Sequence, residues 1–318
     1  MKNKIVALLI GGVGEQRDIS LNSQDYICES LAPVVNKIKL IDFNPKTIIK
    51  DIESAKPDIV YNGLDGIYGE DGRIQGLLDI MEIPYTHSGV MACAISENKF
   101  ISKKICQSSG IKCPQGFLIN KQMISKNRRL YEDTTPFTFI IKASVGGASN
   151  RLKLIRGSSI ANIKLDEFKE TENFIIEQYV QGREFTVAVM DNKSIGIAEI
   201  ITVKEVFDKQ TKYDGNVRYE FQPNIDKGKK QEIEEVAVKA HKIIGCRGIT
   251  RTDLIMSSEG DIYFLELNIN PGFTRSSIFP KIAIENGISN VDIVEFLLSD
   301  ARYGLSDSVP LLTQEVLI

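Results

Sequence analysis

At 318 residues and 42% apolar content, the chain can bury the cores of two or three domains. Its net charge of −3 provides no basic field for nucleic acid, and its five scattered cysteines, odd in number and without CxxC spacing, argue against a disulfide framework or zinc site. No apolar run reaches about 18 residues, and the run after MKNK is broken by Gly11-Gly12 before signal-peptide length, so a cytoplasmic chain with no membrane partner is expected.

Lys4 to Ile10 reads as a buried strand, followed by a glycine-rich turn at 11–14 and a helix from an N-cap at Ser20 to about Leu31. The turn is not GxGxxG; it can hold phosphate or simply join strand to helix. Strands at 38–42 and 58–61 flank a helix at 47–55, an alternation that predicts a parallel sheet wound with helices over about 95 residues. DGIYGEDGRIQG (65–76) opens a helix at 72–81, where Glu70 and Asp71 answer the helix dipole and need no function. The segment 84–89 is a loop at the C-terminal side of a short strand, the side on which open α/β sheets bind ligands. His87 reads as an ordinary loop histidine and His241 as a helical one.

A helix at 98–108 and strands at 115–119 and 137–142 follow. Lys142 leaves its apolar strand beside the glycine-rich run 144–149, where ammonium and backbone N–H groups can meet phosphate or can form a solvated hairpin. Glu177 interrupts the apolar strand 174–180 and needs a donor: an adenine amino group, a ribose hydroxyl, or a Lys or Arg. The polar segment 204–224, with Lys212 and Tyr213, is a lid or a disordered connection. Helices at 228–245, 277–285 and 291–298 enclose the hairpin 250–268.

That hairpin is the most informative stretch. A four-residue turn at 258–261 makes opposed residue numbers sum to 519, so Asp253 faces Glu266 and Arg251 faces Asn268 on one side of the strands. Leu254, Met256, Tyr263, Leu265 and Leu267 are expected to pack the other. Two carboxylates about 5 Å apart call for a cation between them, and oxygen-only ligands favour Mg²⁺ or Mn²⁺; the alternative is a wet polar face.

GGVGEQRDISLNS (11–23), GEDGRIQG (69–76), IPYTHSGV (83–90), GREFTVAV (182–189), TRTDL (250–254) and LELNINPGFTRSS (265–277), in this order, resemble the D-alanine:D-alanine ligases of the ATP-grasp superfamily over about residues 4–300. The resemblance implies an α/β (α+β) ATP-grasp fold of three lobes, 1–96, 97–182 and 183–318, with ATP between the central and C-terminal lobes and a lid at about 204–224. It implies ATP-dependent joining of two D-alanines through an acyl phosphate for peptidoglycan precursor synthesis, with ATP and two Mg²⁺ or Mn²⁺ ions as cofactors, in a cytoplasmic homodimer. Residue by residue, it implies that Lys99, Lys142, Gly147 and Ser149 meet ATP phosphates, and that Glu177 and Val180 hold adenine and Glu184 ribose. Asp253, Glu266 and Asn268 match metal ligands. Arg251 and Gly272 match the groups facing the reacting carbonyl, Ser277 and Ile278 the second substrate's carboxylate, and Lys212 and Tyr213 the lid pair.

The chain departs from the family at substrate positions. Gln16 stands for the Glu that meets the first substrate's ammonium, Ala148 for a Ser linked to it, and Asp65 for a His, where it can replace the missing negative charge. Gln178 and Asn150-Arg151 are further departures. A sibling ligase for another amino acid or carboxylate, and a nucleotide-binding paralogue with little catalysis, are the alternatives these departures raise.

Overall fold

The computed structural model describes residues 1–127, 138–146, 151–157, 160, 165–166, 168–202 and 217–304. Among these, strand and helix alternate at the N-terminus as expected. Strands β1 (Ile5–Gly11), β2 (Lys37–Phe43) and β3 (Ile59–Asn62) form a parallel sheet in the order β2-β1-β3, extended by a parallel bridge from Val60 to Tyr85. Helices α1 (Arg17–Leu31), α2 (Ile48–Ala55) and α3 (Arg73–Ile80) make the crossovers. α1 starts three residues before Ser20, which is buried inside the helix instead of capping it. Its hydroxyl accepts the Gly11 N–H at 2.9 Å and donates to the Gly63 carbonyl at 2.5 Å, tying the glycine turn to the sheet. Gly11, Gly12 and Gly14 all take positive φ, which only glycine adopts without strain.

Two helices follow, α4 (Val90–Glu97) and α5 (Lys99–Ser108), the latter capped by Asn98. A second sheet is antiparallel, β4 (Gly116–Ile119), β7 (Phe174–Gln178), β5 (Phe139–Ala143) and β6 (Lys153–Ile155), in that spatial order, with the short helix α6 (Lys121–Lys126) after β4. The third sheet runs β10-β9-β8-β11-β12, from β8 (Gly182–Met190), β9 (Lys193–Thr202), β10 (Val217–Glu220), β11 (Ile249–Ser257) and β12 (Ile262–Asn268). Of the expected lid, residues 204–216 lie outside the described residues, and 217–220 are the edge strand β10. Helix α7 (Lys227–Ile244) ends at Gly245 in the left-handed conformation, and α8 (Ile278–Glu285) and α9 (Asn290–Asp300) complete the fold.

The β11–β12 hairpin reaches the expected pairing by a different route. Asp253 opposes Glu266 and Arg251 opposes Asn268, but nearer the turn Leu254 pairs Phe264 and Met256 pairs Ile262, so the sum there is 518. The turn is one residue shorter than expected, and a bulge beside Asp253 restores the register by giving Leu265 no partner of its own. This corrects the packing face. Ile262, Phe264 and Leu267 are buried with Leu254, whereas Tyr263 and Leu265 are only partly covered.

The cores tie these sheets together. α5 lends Cys106 to the cluster formed by β8, β11, β12 and α7, and the β4–β7 sheet keeps its own cluster around Phe139, Phe168 and Phe174. β1 and α1 share a third with Phe279, Ile282 and Leu297 of α8 and α9. The Asn270 amide donates to the Leu64 carbonyl at 2.8 Å, fixing the loop after β12 against the end of β3. Among the described residues no helix is long and apolar enough to cross a membrane.

Candidate functional site

A cavity of about 540 Å³ opens between the N-terminal sheet and the third sheet, beside the α4–α5 junction. One wall is the polar face of β11 and β12, presenting Arg251, Asp253, Glu266 and Asn268. Across from it lie Gln16 at the start of α1 and Asp65 and Glu70 on the loop after β3; Lys99 closes one side, and Gly272, Ser277 and Ile278 another. Residues far apart in the chain therefore share one polar chamber.

The wall's charges are held from within the sheet. Asp253 accepts from the Thr186 hydroxyl of β8 at 2.6 Å and from Arg251 Nε and Nη2 at 3.2 Å each, and Arg251 is itself largely shielded from solvent. Burial opposes the Arg251 charge, but Asp253 and then Glu266 outweigh it and hold the guanidinium above its usual range. Glu266 stands 3.7 Å from Lys99 Nζ, an ammonium that also donates to the Gly146 carbonyl. Ser96 braces the wall from behind by donating to the Leu267 carbonyl at 2.5 Å.

Asp253, Glu266 and Asn268 offer oxygen donors alone, the chemistry that Mg²⁺ and Mn²⁺ take. Among the described residues no three His, Cys, Asp or Glu side chains converge on a metal position. A cation on this wall needs the Asn268 amide oxygen and non-protein oxygens to complete its shell. The residues present fit such an ion, because Asp253 and Glu266 oppose each other on a wall open to the chamber and Asn268 beside them adds a neutral oxygen donor.

The loop after β12 is held by its own hydroxyl groups. The Thr274 N–H and hydroxyl both engage Ser277 Oγ, at 3.0 Å and 2.8 Å, so Ser277 caps the loop and makes no side-chain cap to α8. The first N–H groups of α8 keep their donor capacity beside the cavity. A Cβ at Gly272 would come within 3.2 Å of Ser277 Oγ, so glycine keeps the backbone there in close approach.

Lys142 and Glu177 lie apart from this chamber, in the β4–β7 sheet. Glu177 is almost fully buried and is paired with Lys142 Nζ at 2.7 Å and with Lys103, so lysines supply the donor its strand position requires. Burial raises the Glu177 pKa, but the two ammonium groups outweigh it and hold the carboxyl below its usual range. Burial pulls Lys103 down to about 8 against the pull of Glu177, while Glu177 and Glu266 keep Lys142 above its ordinary value despite burial. Val180 and Glu184 are half-buried at the β7–β8 junction and do not line the cavity. Gly147, Ala148, Ser149, Asn150, Lys212 and Tyr213 lie outside the described residues. Arg151 adopts φ 59°, pairs with Glu172 at 2.5 Å and lies over the Phe168 ring.

Several site residues were not anticipated. Glu70, read as a helix-start acid that needs no function, is buried, lines the cavity and accepts the Gly66 N–H at 2.6 Å. Glu97, Tyr219 and Lys281 also face the chamber. Tyr219 was hidden in the supposed lid, whereas Lys281 could have been found from its place three residues after Ile278 on one helix face. His87 is buried against Tyr61, edge to face, and its Nδ1 lies 2.9 Å from the Thr86 hydroxyl; it does not line the chamber.

The description "D-ala D-ala ligase C-terminus" matches residues 105–299. The D-alanine--D-alanine ligase of Pelagibacter ubique is 36% identical over 303 residues, covering 94% of this chain and 98% of the relative. That of Methylorubrum populi is 34% identical over 310 residues, with 94% and 98% covered. Among solved structures, the D-alanine--D-alanine ligase of Bacillus anthracis complexed with ATP superposes with a TM-score of 0.78 at 25% identity, covering 93% of this chain and 97% of that one. The VanG D-Ala:D-Ser ligase of Enterococcus faecalis shares the fold, with a TM-score of 0.76 at 23% identity and coverage of 93% and 98%. With the ATP-grasp fold shared and the matches running nearly end to end, the chain belongs to the D-alanine--D-alanine ligase family.

Proposed function

We propose that this chain is an ATP-dependent ligase that joins two D-alanines into D-Ala-D-Ala, releasing ADP and phosphate and supplying peptidoglycan precursor synthesis. One observation carries the reading at the level of chemistry: Arg251, Asp253, Glu266 and Asn268 face a chamber that also holds Gln16 and Asp65 at one side and Ser277 and Ile278 at another. A chamber with Asp65 and Glu70 at one side, Arg251 beside two carboxylates on its wall and a helix N-terminus suits two zwitterions held head to tail.

In this reading Lys99 and Lys142, with Gly147 and Ser149, hold the phosphates of ATP, while Glu177, Val180 and Glu184 hold its nucleoside. Asp253, Glu266 and Asn268 would hold Mg²⁺ or Mn²⁺, which when bound supplies charge neutralisation on the phosphates. Glu177 must then share its carboxylate between Lys142 and the adenine amino group. The first D-alanine, lying beside Gln16 and Asp65, offers its carboxylate to the γ-phosphorus. Ser277 and the Ile278 N–H fix the carboxylate of the second. Its amine attacks the acyl phosphate, and Arg251 with the Gly272 N–H stabilises the tetrahedral oxyanion before phosphate departs. Lys212 and Tyr213 would close over the site and exclude the water that hydrolyses acyl phosphates. Division into lobes at 1–96, 97–182 and 183–318 is supported by the three sheets, with α5 lending its buried face to the third. A homodimer and a cytoplasmic location rest on the family resemblance.

The test is turnover by purified protein with ATP, Mg²⁺ and D-alanine. Equal amounts of dipeptide and phosphate are expected. Phosphate released only with another amino acid would assign a different substrate, and no turnover on any amino acid would defeat the ligase reading.

A further inference from the structure

Asp65 and Glu70 stand together on the loop between β3 and α3, 8% and 7% exposed, and both line the chamber. They are not equivalent. Glu70 is engaged in the turn through the Gly66 N–H. Asp65 has no hydrogen bond or ion pair among the described residues, and burial alone perturbs it, lifting its pKa to about 7. Burial lifts Glu70 as well, and the charges of Asp65 and Glu97 add to it. Lys99, the cation that reaches this end, is turned toward the Gly146 carbonyl and Glu266.

Gln16 is the immediate neighbour. A Cβ at Gly66 would run into Gln16 Oε1, so the amide lies against the residue that follows Asp65. An amide offers a dipole and no charge. A carboxylate that is nine-tenths buried, borders a substrate chamber and is unanswered among the described residues is stabilised by a cationic ligand.

We propose that Asp65 is the specificity-determining residue that receives the ammonium of the first amino acid, so that the chamber selects an amino acid over the corresponding hydroxy acid. The inference rests on the ligase reading of this chamber. Glu70 holds the turn that aims Asp65, and Gln16 adds a neutral hydrogen-bond acceptor beside it. The charge contact then comes from the β3–α3 loop instead of the start of α1.

Calorimetric titration of the full chain with D-alanine and with D-lactate, in the presence of ADP and Mg²⁺, reads the contact directly. The wild type is expected to bind D-alanine at least about tenfold more tightly than D-lactate, the low end for a charge contact. Asp65→Asn removes that preference while affinity for D-lactate stays within about threefold, an outcome that general damage to the site would not produce. Gln16→Glu combined with Asp65→Asn returns the charge to the same corner and restores the preference. An unchanged preference in Asp65→Asn, no recovery in the double variant, or binding of neither acid by the wild type would overturn the proposal. Dipeptide formation by the wild type judges the ligase reading separately: binding with the expected preference but without dipeptide leaves Asp65 supported and sinks the reaction.

Discussion

Two ionic clusters of similar composition occupy this molecule, and their surroundings separate their uses. Glu177 sits between Lys103 and Lys142 with side chains 4–9% exposed, and both of its oxygens are engaged. Asp253 and Glu266 also face cations, but at 3.2 Å and 3.7 Å and on the wall of an open chamber. The first cluster sets one carboxylate between two ammonium groups inside the protein, and the second sets two carboxylates and two cations on the wall of an open chamber. A buried charge is costly unless paired, so pairing inside the sheet secures position, and charges presented on a cavity wall can take a ligand.

The comparison breaks first at Glu266. Glu266→Gln keeps the shape of the wall and removes one of two opposed carboxylates. Turnover with Mg²⁺ should fall about a thousandfold or more, with an unchanged melting temperature; near-normal turnover would exclude Glu266 from the metal set. The sealed cluster should respond in stability. Glu177→Ala strands two buried ammonium groups and should cost about 3–5 kcal/mol in chemical denaturation, whereas a small loss would mean that water already reaches the cluster. A third variant, Arg251→Lys, keeps the charge and loses the planar fork that grips Asp253. It should lower kcat about a hundredfold while ATP affinity stays close to wild type.

The smallest effect concerns two histidines outside both clusters. Burial pulls the His87 pKa down to about 3 and that of His241 down to about 4, so both stay neutral in the folded protein. Unfolded imidazole titrates near 6.5. Above that value the stabilisation is fully present, and as pH falls toward 4 the unfolded chain gains protons that the folded chain refuses. His241, whose Nδ1 lies 2.8 Å from the Thr250 hydroxyl, should account for about 1 kcal/mol of lost stability at pH 5.5. The loss of stability between pH 7 and pH 5.5 should be smaller in His241→Gln than in wild type by that amount; equal losses would show that the imidazole is solvated.

Much of the candidate wall was legible in the sequence, because strand alternation and a turn cluster are local signals. The pairing of Asp253 with Glu266 was correct although the turn length behind it was not, since the bulge at Leu265 offset a turn one residue shorter. Bulges carry no composition signal, so the burial of Phe264 in place of Leu265 could not be read. Lys103 was missed for a different reason. It lies one helical turn after Lys99 on α5, and only the meeting of α5 with β7 makes it a partner of Glu177. Glu70 was misread because helix-start acids are common, and its burial and its place on the chamber come from tertiary packing that a helix-start pattern does not show. β10 was absorbed into a polar stretch whose strand character comes from pairing with β9.

The central claim is that this chamber activates a carboxylate by phosphorylation before an amine attacks it. Its most direct test starts from D-alanine carrying oxygen-18 at both carboxylate positions, turned over with ATP and Mg²⁺, with the released phosphate read by mass spectrometry. The account predicts that each phosphate carries a single heavy oxygen for each D-Ala-D-Ala formed. Dipeptide accompanied by unlabelled phosphate would contradict it.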